Sequence, residues 1–168
     1  MTIEVEDAGP AVSTYIARID GGARGNPGPA GWGVVIEDPQ GAVVRKLYGS
    51  IGSATNNVAE YNGLLSALGW CVEHGATRVH VCSDSLLLVQ QMIGNYKVRN
   101  AGLKPLHGQA RLLASRIGRV SYEHVPREMN KEADTLANLA MDEAAGGAPG
   151  NWELGIRNNE KKEIIHNS

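Results

Sequence analysis

The chain lacks the features that mark membrane, secreted and zinc-binding proteins. Its apolar runs all fall far short of the roughly 18 residues that a membrane-spanning helix needs. Its N-terminus carries Glu4, Glu6 and Asp7 in place of the basic, apolar start of a signal peptide. The two cysteines, Cys71 and Cys82, match no zinc motif in their spacing, and we expect buried thiols and no disulfide. These absences predict a cytoplasmic protein without a membrane partner.

Acidic residues are also missing from one long stretch, residues 85–122. The net charge of −2 is near neutral and does not by itself indicate nucleic-acid binding. The uneven distribution predicts a basic surface beside an acidic centre, which suits a polyanion; an ordinary solvated helix face is the alternative. The basic residues of this stretch are Lys97, Arg99, Lys104, Arg111, Arg116 and Arg119.

The hydrophobic pattern predicts an α/β fold with the element order βββαβααβα. We expect a five-stranded mixed sheet flanked by helices, with strands 1 to 3 antiparallel and strands 1, 4 and 5 parallel. A Gly- and Pro-rich turn is predicted at 21–30. The predicted strands are 14–20, 31–37, 42–50, 78–83 and 120–125, and the predicted helices are 57–74, 85–93, 104–116 and 130–145.

The length of 168 residues and the 42% hydrophobic content fit a single domain with its own core. Residues 1–13 are polar and acidic, and we predict a flexible leader there. The folded domain is predicted at 14–145. Residues 146–168 begin with a Gly- and Pro-containing linker and are predicted to form a C-terminal tail.

Four acidic residues stand where strands end or helices begin: Asp20, Glu60, Asp84 and Asp134. If strands 1 and 4 are parallel neighbours, Asp20 and Asp84 emerge at the same edge of the sheet, and the two helical carboxylates can lean over it. Grouped carboxylates repel one another and lose solvation, so such a cluster needs a cation. Oxygen ligands favour Mg²⁺ or Mn²⁺.

Each of these carboxylates also has a local structural interpretation. Glu60 with Asn57 fits a capping box, and Asp134 is favourable at a helix N-terminus. Asp20 and Asp84 fit turn and N-cap roles. All four converging through cap preference alone is much less expected than any one of these roles.

Four segments of the sequence resemble type 1 ribonuclease H. They are residues 19–33 (IDGGARGNPGPAGWG), 55–61 (TNNVAEY), 83–85 (SDS) and 124–134 (HVPREMNKEAD). Their order and spacing make the resemblance specific, whereas any one of them alone would be weak. The resemblance covers residues 14–143, most of the chain.

The resemblance implies a catalytic domain that hydrolyses the RNA strand of RNA/DNA hybrids to 5′-phosphate and 3′-hydroxyl products. It implies that the four carboxylates bind two Mg²⁺ ions, with Mn²⁺ as the alternative, in a two-metal-ion mechanism. It further implies that Gly21, Gly22, Asn26, Asn56 and Asn57 contact the substrate, with the asparagines at 2′-hydroxyls.

The sequence departs from many relatives in two places. The segment 126–130 is too short for the glycine-rich loop that carries a mobile histidine, so Arg127 or Glu128 is a candidate for proton handling or product release. Residues 96–104 contain no tryptophan, as in the protrusion-lacking bacterial and archaeal members, which implies fewer phosphate contacts. Within that segment, Asn100 is a candidate contact to the DNA strand or a turn residue.

Two alternatives remain beside the hybrid-cleaving enzyme. One is a module that binds hybrids or duplexes without cutting them, and the other is a different nuclease of the same superfold. Retention of the four carboxylates favours an enzyme, because a pure binder gains nothing from a repulsive cluster. The asparagines around Glu60 favour the hybrid-specific enzyme. No obligate protein partner is evident, and we expect a monomer.

Overall fold

The structure is a computed structural model that describes residues 13–146 and 162–163. The predicted leader at 1–13 and the predicted linker and tail at 146–168 therefore lie almost entirely outside the described residues. The elements, in chain order, are β1 (Tyr15–Ala23), β2 (Gly28–Glu37), β3 (Val43–Ala54), α1 (Asn56–Glu73), β4 (Arg78–Ser83), α2 (Leu86–Met92), α3 (Lys104–Ile117), β5 (Arg119–His124), a 3-10 helix (Arg127–Met129), α4 (Lys131–Ala144) and β6 (Lys162–Glu163).

One mixed sheet organises the molecule, with the strand order β5-β4-β1-β2-β3-β6. The β1–β2 and β2–β3 pairs are antiparallel, and the β1–β4 and β4–β5 pairs are parallel. This confirms the predicted five-stranded core and its element order. The two-residue β6 pairs with β3 and adds a sixth strand that the sequence pattern did not predict.

The core divides between the two faces of this sheet, because successive strand residues point to opposite sides. Val34 and Val35 are neighbours in β2, are each at most 1% exposed, and belong to different clusters. The larger cluster joins the sheet to α1, α2 and α3, and the smaller one joins it to α4. Helices α1 and α4, which carry Glu60 and Asp134, are thus held on opposite faces of the sheet.

The predicted turn at 21–30 is too long, because β1 continues to Ala23 and β2 begins at Gly28. Gly21 pairs with Trp32 and Ala23 pairs with Ala30, so the glycine-rich segment is mostly a hairpin. Composition alone favours a turn there, yet these glycines serve close packing. A Cβ atom at Gly21 would lie 2.5 Å from the backbone of Ala59 and Glu60. The missing side chain lets the first turns of α1 approach β1.

The helix caps differ from the cap roles considered for the acidic residues. Thr55 is the N-cap of α1, and its Oγ1 accepts a hydrogen bond from the Val58 amide at 3.2 Å. Ser85 is the N-cap of α2, and its Oγ accepts from the Leu88 amide at 3.1 Å. The proposed capping box of Asn57 and Glu60 is therefore wrong, and so is the proposed N-cap role of Asp84. Neutral hydroxyls perform both tasks.

The two cysteines are buried free thiols, as predicted. Among the helices that the structure describes, none is long and apolar enough to cross a membrane.

We expect Gly21→Ala to destabilise the domain by roughly 1–3 kcal/mol, because the new methyl group would overlap rigid backbone. Urea unfolding at equilibrium measures the change. Gly69→Ala in α1 is the matched control, since a Cβ there meets no atom within 4 Å. The control should be neutral or slightly stabilising, because alanine is the better helix former. Equal stability of the Gly21 variant and the wild type would contradict the packing argument.

Candidate active site

One cavity of about 420 Å³ opens at the C-terminal ends of β1 and β4. It contains all four carboxylates predicted from the sequence, together with the glycines that follow the first of them. The cavity is lined by Asp20, Gly21, Gly22, Ala23, Arg24, Asn56, Glu60, Asp84, Arg127, Asp134, Asn138 and Met141.

The parallel pairing of β1 with β4 brings Asp20 and Asp84 together. Ile19 is in register with Ser83, so the next residue on each strand is one of the two aspartates. Glu60 reaches the same place from the fifth residue of α1, and Asp134 reaches it from the first turn of α4. Four elements that are distant in sequence therefore deliver one carboxylate each.

Asn130 fastens the start of α4 to the end of β1. It is 2% exposed, and its Nδ2 donates a hydrogen bond to the Ile19 carbonyl at 2.8 Å. Ile19 immediately precedes Asp20, so this bond sets the position of Asp134 relative to Asp20. In the sequence, Asn130 indicates only the start of a helix, because nothing local to it indicates a partner on β1.

The environment of Asp20 opposes its ionisation. Burial is the main cause, and the negative charge of Asp84 and a hydrogen bond with Asp134 add to it, raising the pKa of Asp20 to about 8. Its residue exposure is only 7%. Without a cation, this carboxyl group retains its proton far above the usual range.

Glu60 is affected in the same direction. Burial raises the pKa of Glu60 to about 7, and the charge of Asp84 contributes, while a hydrogen bond from the Ser85 side chain acts the opposite way. Ser85 thus caps α2 and contacts Glu60. The cluster holds at least two acids whose charged forms are unfavourable as long as no cation is bound.

Two asparagines connect the hairpin to α1. The Oδ1 atom of Asn56 accepts a hydrogen bond from the Ala23 amide at 2.8 Å, and the amide of Asn56 donates to Oδ1 of Asn26 at 2.9 Å. Asn56 lines the cavity beside Gly21 and Gly22, and the substrate contacts predicted for these three residues stay predictions. Asn26 is exposed and lies outside the lining.

Three other candidates are not among the residues that line the cavity: Asn57, Asn100 and Glu128. Asn57 lies in the first turn of α1. The Oδ1 atom of Asn100 accepts from the amides of Gly102 and Leu103, at 2.7 and 3.2 Å, so this side chain organises the turn before α3. The substrate contacts predicted for Asn57, Asn100 and Asn26, and the role in proton handling or product release predicted for Glu128, stay predictions.

Arg127 does line the cavity, and its Nη2 lies 3.7 Å from Oδ1 of Asp134. The side chain is 74% exposed, so the guanidinium stands at the rim. The neighbouring Glu128 is also exposed and is not among the residues that line the cavity.

Three further residues line the cavity and were not predicted from the sequence: Arg24, Asn138 and Met141. Arg24 forms an ion pair with Asp142, and its Nη2 donates to Oδ1 of Asn138 at 3.1 Å. The sequence does mark Arg24, because it is the one charged residue of the glycine-rich segment 21–30. The helical partners that hold it are more than a hundred residues away in sequence.

Comparison with known proteins places this geometry in a family. A family model described as reverse transcriptase-like matches residues 18–140. The bifunctional protein Rv2228c of Mycobacterium tuberculosis is 49% identical over 134 residues, which are 79% of this chain and 37% of that protein. Ribonuclease HI of Halobacterium salinarum is 38% identical over 138 residues, which are 82% of this chain and 68% of that protein. The chain thus spans little more than a third of the mycobacterial relative.

Solved structures of ribonuclease H domains have a similar fold. The N-terminal RNase H domain of Rv2228c, solved as a fusion with maltose-binding protein, has a TM-score of 0.78 at 48% identity and matches 80% of this chain and 97% of that one. LC11-RNase H1, solved in complex with an RNA/DNA hybrid, has a TM-score of 0.73 at 43% identity and matches 78% of this chain and 99% of that one.

We predict that the metal-free domain loses stability as the pH rises from about 4 to about 8. The folded state keeps a proton on Asp20 up to about pH 8, whereas the unfolded chain releases it near the ordinary value of 3.8. The folded state therefore binds more protons in this window, and the free energy of unfolding falls as pH rises through it. Asp84→Asn should flatten this slope, since it removes one charge that raises the pKa of Asp20 and of Glu60.

Thermal melts in EDTA at pH 4 and pH 8 measure the effect. At pH 8, Asp84→Asn should melt a few degrees above the wild type, at roughly 2–4 °C per kcal/mol of relieved repulsion. At pH 4 the two should nearly coincide. Glu73→Gln removes an exposed carboxylate at the end of α1 and should leave the slope unchanged. A lower melting temperature for Asp84→Asn at pH 8 would show that Asp84 is structural.

Proposed function

Since this chain belongs to the type 1 ribonuclease H family, we propose that it is a metal-dependent endoribonuclease that hydrolyses the RNA strand of RNA/DNA hybrids. The observation that carries the proposal is the convergence of Asp20, Glu60, Asp84 and Asp134 in one cavity. The relatives named ribonuclease HI and the hybrid complex of LC11-RNase H1 support the choice of substrate.

The chemistry of the cluster fits a hard divalent cation. All four candidate ligands are carboxylates, and burial and mutual repulsion raise the pKa values of Asp20 and Glu60. A cation that accepts oxygen ligands offsets both effects, so Mg²⁺ or Mn²⁺ is the natural occupant. When two such ions are bound, they supply charge stabilisation at the scissile phosphate and at the leaving oxygen and acidify the attacking water. The proposed products carry 5′-phosphate and 3′-hydroxyl ends.

The protein itself shapes the approach of the substrate. Gly21 and Gly22 follow Asp20 on β1 and line the cavity. A Cβ atom at Gly22 would lie 3.3 Å from Cε of Met141 and 3.8 Å from Oδ1 of Asn56, which also line the cavity, so its absence leaves room for an incoming phosphate. Asn56 is held between Ala23 and Asn26 by two hydrogen bonds and is thus positioned before substrate arrives. We assign contact with 2′-hydroxyls to Asn56 first, with Asn26 and Asn57 beside it, because an amide can both donate and accept.

Arg127 occupies the cavity rim where a loop histidine is expected in many relatives. A guanidinium stays protonated in proteins, so Arg127 cannot act as a general base. Its proposed role is to attract the substrate phosphate near Asp134 and, at the rim, to compete with the bound cations for the product phosphate during release. Glu128 lies outside the lining and is the weaker of the two candidates.

A hybrid-binding module without cleavage is the competing function. Such a module would keep four carboxylates that repel phosphate and oppose their own ionisation, with no benefit from them. The family membership and the intact cluster together favour the enzyme. The cytoplasmic location and monomeric state predicted from the sequence stay predictions.

Incubation with end-labelled substrates tests the proposal directly. The chain should cleave the RNA strand of an RNA/DNA hybrid in Mg²⁺ or Mn²⁺, leave duplex DNA of the same sequence intact, and lose activity in EDTA. Asp20→Asn and Asp84→Asn should each reduce cleavage by at least roughly 10³-fold, since both residues are proposed metal ligands. Glu73→Gln is the control and should keep full activity. Tight hybrid binding with no cleavage in either metal would favour the binding module.

We predict that Arg127→Ala lowers the multiple-turnover rate on hybrid by roughly 10-fold, the effect of about 1.4 kcal/mol of lost charge stabilisation. Single-turnover measurements separate chemistry from product release. Arg127→Lys should restore part of the rate because it retains the charge. Lys131→Ala removes a neighbouring exposed cation that does not line the cavity and serves as the control. Unchanged turnover for Arg127→Ala would remove Arg127 from the mechanism.

A further inference from the structure

Outside the candidate active site, three potential metal ligands meet on the sheet. We propose that His80, Cys82 and Glu123 form a separate site for a transition metal of the Zn²⁺ class, bridging β4 and β5. This inference is independent of the proposed nuclease function, because it uses none of the cavity residues.

The strand register creates the cluster. His80 and Cys82 are two residues apart on β4, so their side chains point to the same face. Glu123 on β5 is the direct register partner of Cys82. A ring nitrogen of His80, the sulfur of Cys82 and a carboxylate oxygen of Glu123 all lie within 4.8 Å of one another. Small side-chain rotations would bring three ligands of this spacing onto one ion.

Ser121 orients the imidazole in the manner of an outer-shell partner. Nε2 of His80 lies 2.8 Å from Oε1 of Glu123, and Nδ1 lies 2.7 Å from Oγ of Ser121. In the ion-free protein, Nε2–H donates a hydrogen bond to the Glu123 carboxylate. When an ion takes the place of that proton, the Ser121 hydroxyl can accept from Nδ1–H, and the lone pair of Nε2 is directed at the ion. Metal-binding histidines usually have such a partner on the second nitrogen.

The surrounding charges are compatible with a dication. A metal with charge +2, one thiolate and one carboxylate sum to zero when His80 is neutral. Arg18 is the register neighbour of Cys82 on β1 and would repel a cation, but its Nε is paired with Oε2 of Glu37 at 2.9 Å. The positive charge of Arg18 is therefore already paired.

The site is reachable and chemically distinct from the acidic cavity. The side chains of His80 and Glu123 are 29% and 57% exposed, while Cys82 beneath them is 4% exposed, so an ion would enter from the Glu123 side. Nitrogen, sulfur and oxygen donors together select Zn²⁺, Co²⁺ or similar ions, whereas Mg²⁺ avoids sulfur. Three protein ligands leave one position for water or another small ligand.

Titration of the full chain with Co²⁺ as a spectroscopic probe for Zn²⁺ tests the proposal. In excess Mg²⁺, added to occupy the carboxylates of the acidic cavity, we expect a thiolate-to-cobalt charge-transfer band that saturates at one ion per chain and disappears when Zn²⁺ is added. Cys82→Ala should abolish the band, and Cys71→Ala, the matched buried thiol on α1, should retain it. His80→Ala and Glu123→Gln should weaken binding by more than roughly 10-fold, and Ser121→Ala by roughly 10- to 100-fold.

Asp84→Asn separates this site from the acidic cavity, because it should leave the charge-transfer band unchanged. His80→Ala and Glu123→Gln alter partly exposed positions, so they carry the test if Cys82→Ala fails to fold. The proposal is overturned if the wild type shows no thiolate band, if the band survives in Cys82→Ala, or if His80→Ala and Glu123→Gln bind Co²⁺ as tightly as the wild type.

Discussion

The parallel pairing of β1 with β4 is the constraint on which the candidate site depends. Its register aligns Ile19 with Ser83, and this alignment alone decides that Asp20 and Asp84 emerge side by side. A slip of one residue would turn one of the two carboxylates to the other face of the sheet. The hydrophobic strand residues enforce the register, since Ala17, Ile19, Val79 and Val81 are each at most 1% exposed in the same core cluster. Core packing thus sets the geometry of the acidic cavity, although burying its carboxylates is itself unfavourable.

Carboxylates placed where their ionisation is unfavourable are typical of functional sites. Burial and neighbouring charge raise the pKa values of Asp20 and Glu60, so the folded state holds groups in their less favourable environment. Structural carboxylates behave differently, as Asp38 illustrates by accepting hydrogen bonds from the amides of Gln40 and Ala42 in a turn. The helix caps around the cavity are neutral hydroxyls of Thr55 and Ser85. The carboxylates are therefore not needed as caps, which supports the proposal that their partner is a cation.

Local sequence was sufficient to predict the features that depend on hydrophobic periodicity and on the residues that end each strand or helix. The strand and helix order, the sheet pairing and the convergence of four carboxylates follow from alternating apolar residues and from where each run ends. The turn predicted at 21–30 was too long because glycine occurs both in turns and at close contacts between elements. Gly21 lies in a strand and is glycine because α1 leaves no room for a Cβ there. Only the packed helix reveals this requirement. Arg24 and Asn130 were missed for the same reason, as their partners lie on distant elements. Tertiary contacts decide what composition leaves open.

The same limit explains why the His80, Cys82 and Glu123 cluster has no sequence motif. Two of its ligands follow strand period on β4, but the third comes from β5, and only the parallel register of those strands brings it opposite Cys82. Strand β4 consequently carries donors of two kinds: nitrogen and sulfur along its middle, and the carboxylate of Asp84 just past its end. Because Mg²⁺ avoids sulfur, the hard ion that suits the carboxylates would not occupy the group with the thiolate, whereas Zn²⁺ can bind donors of both kinds. A single strand can in this way contribute to two groups of metal ligands that lie close together and differ in their donor atoms.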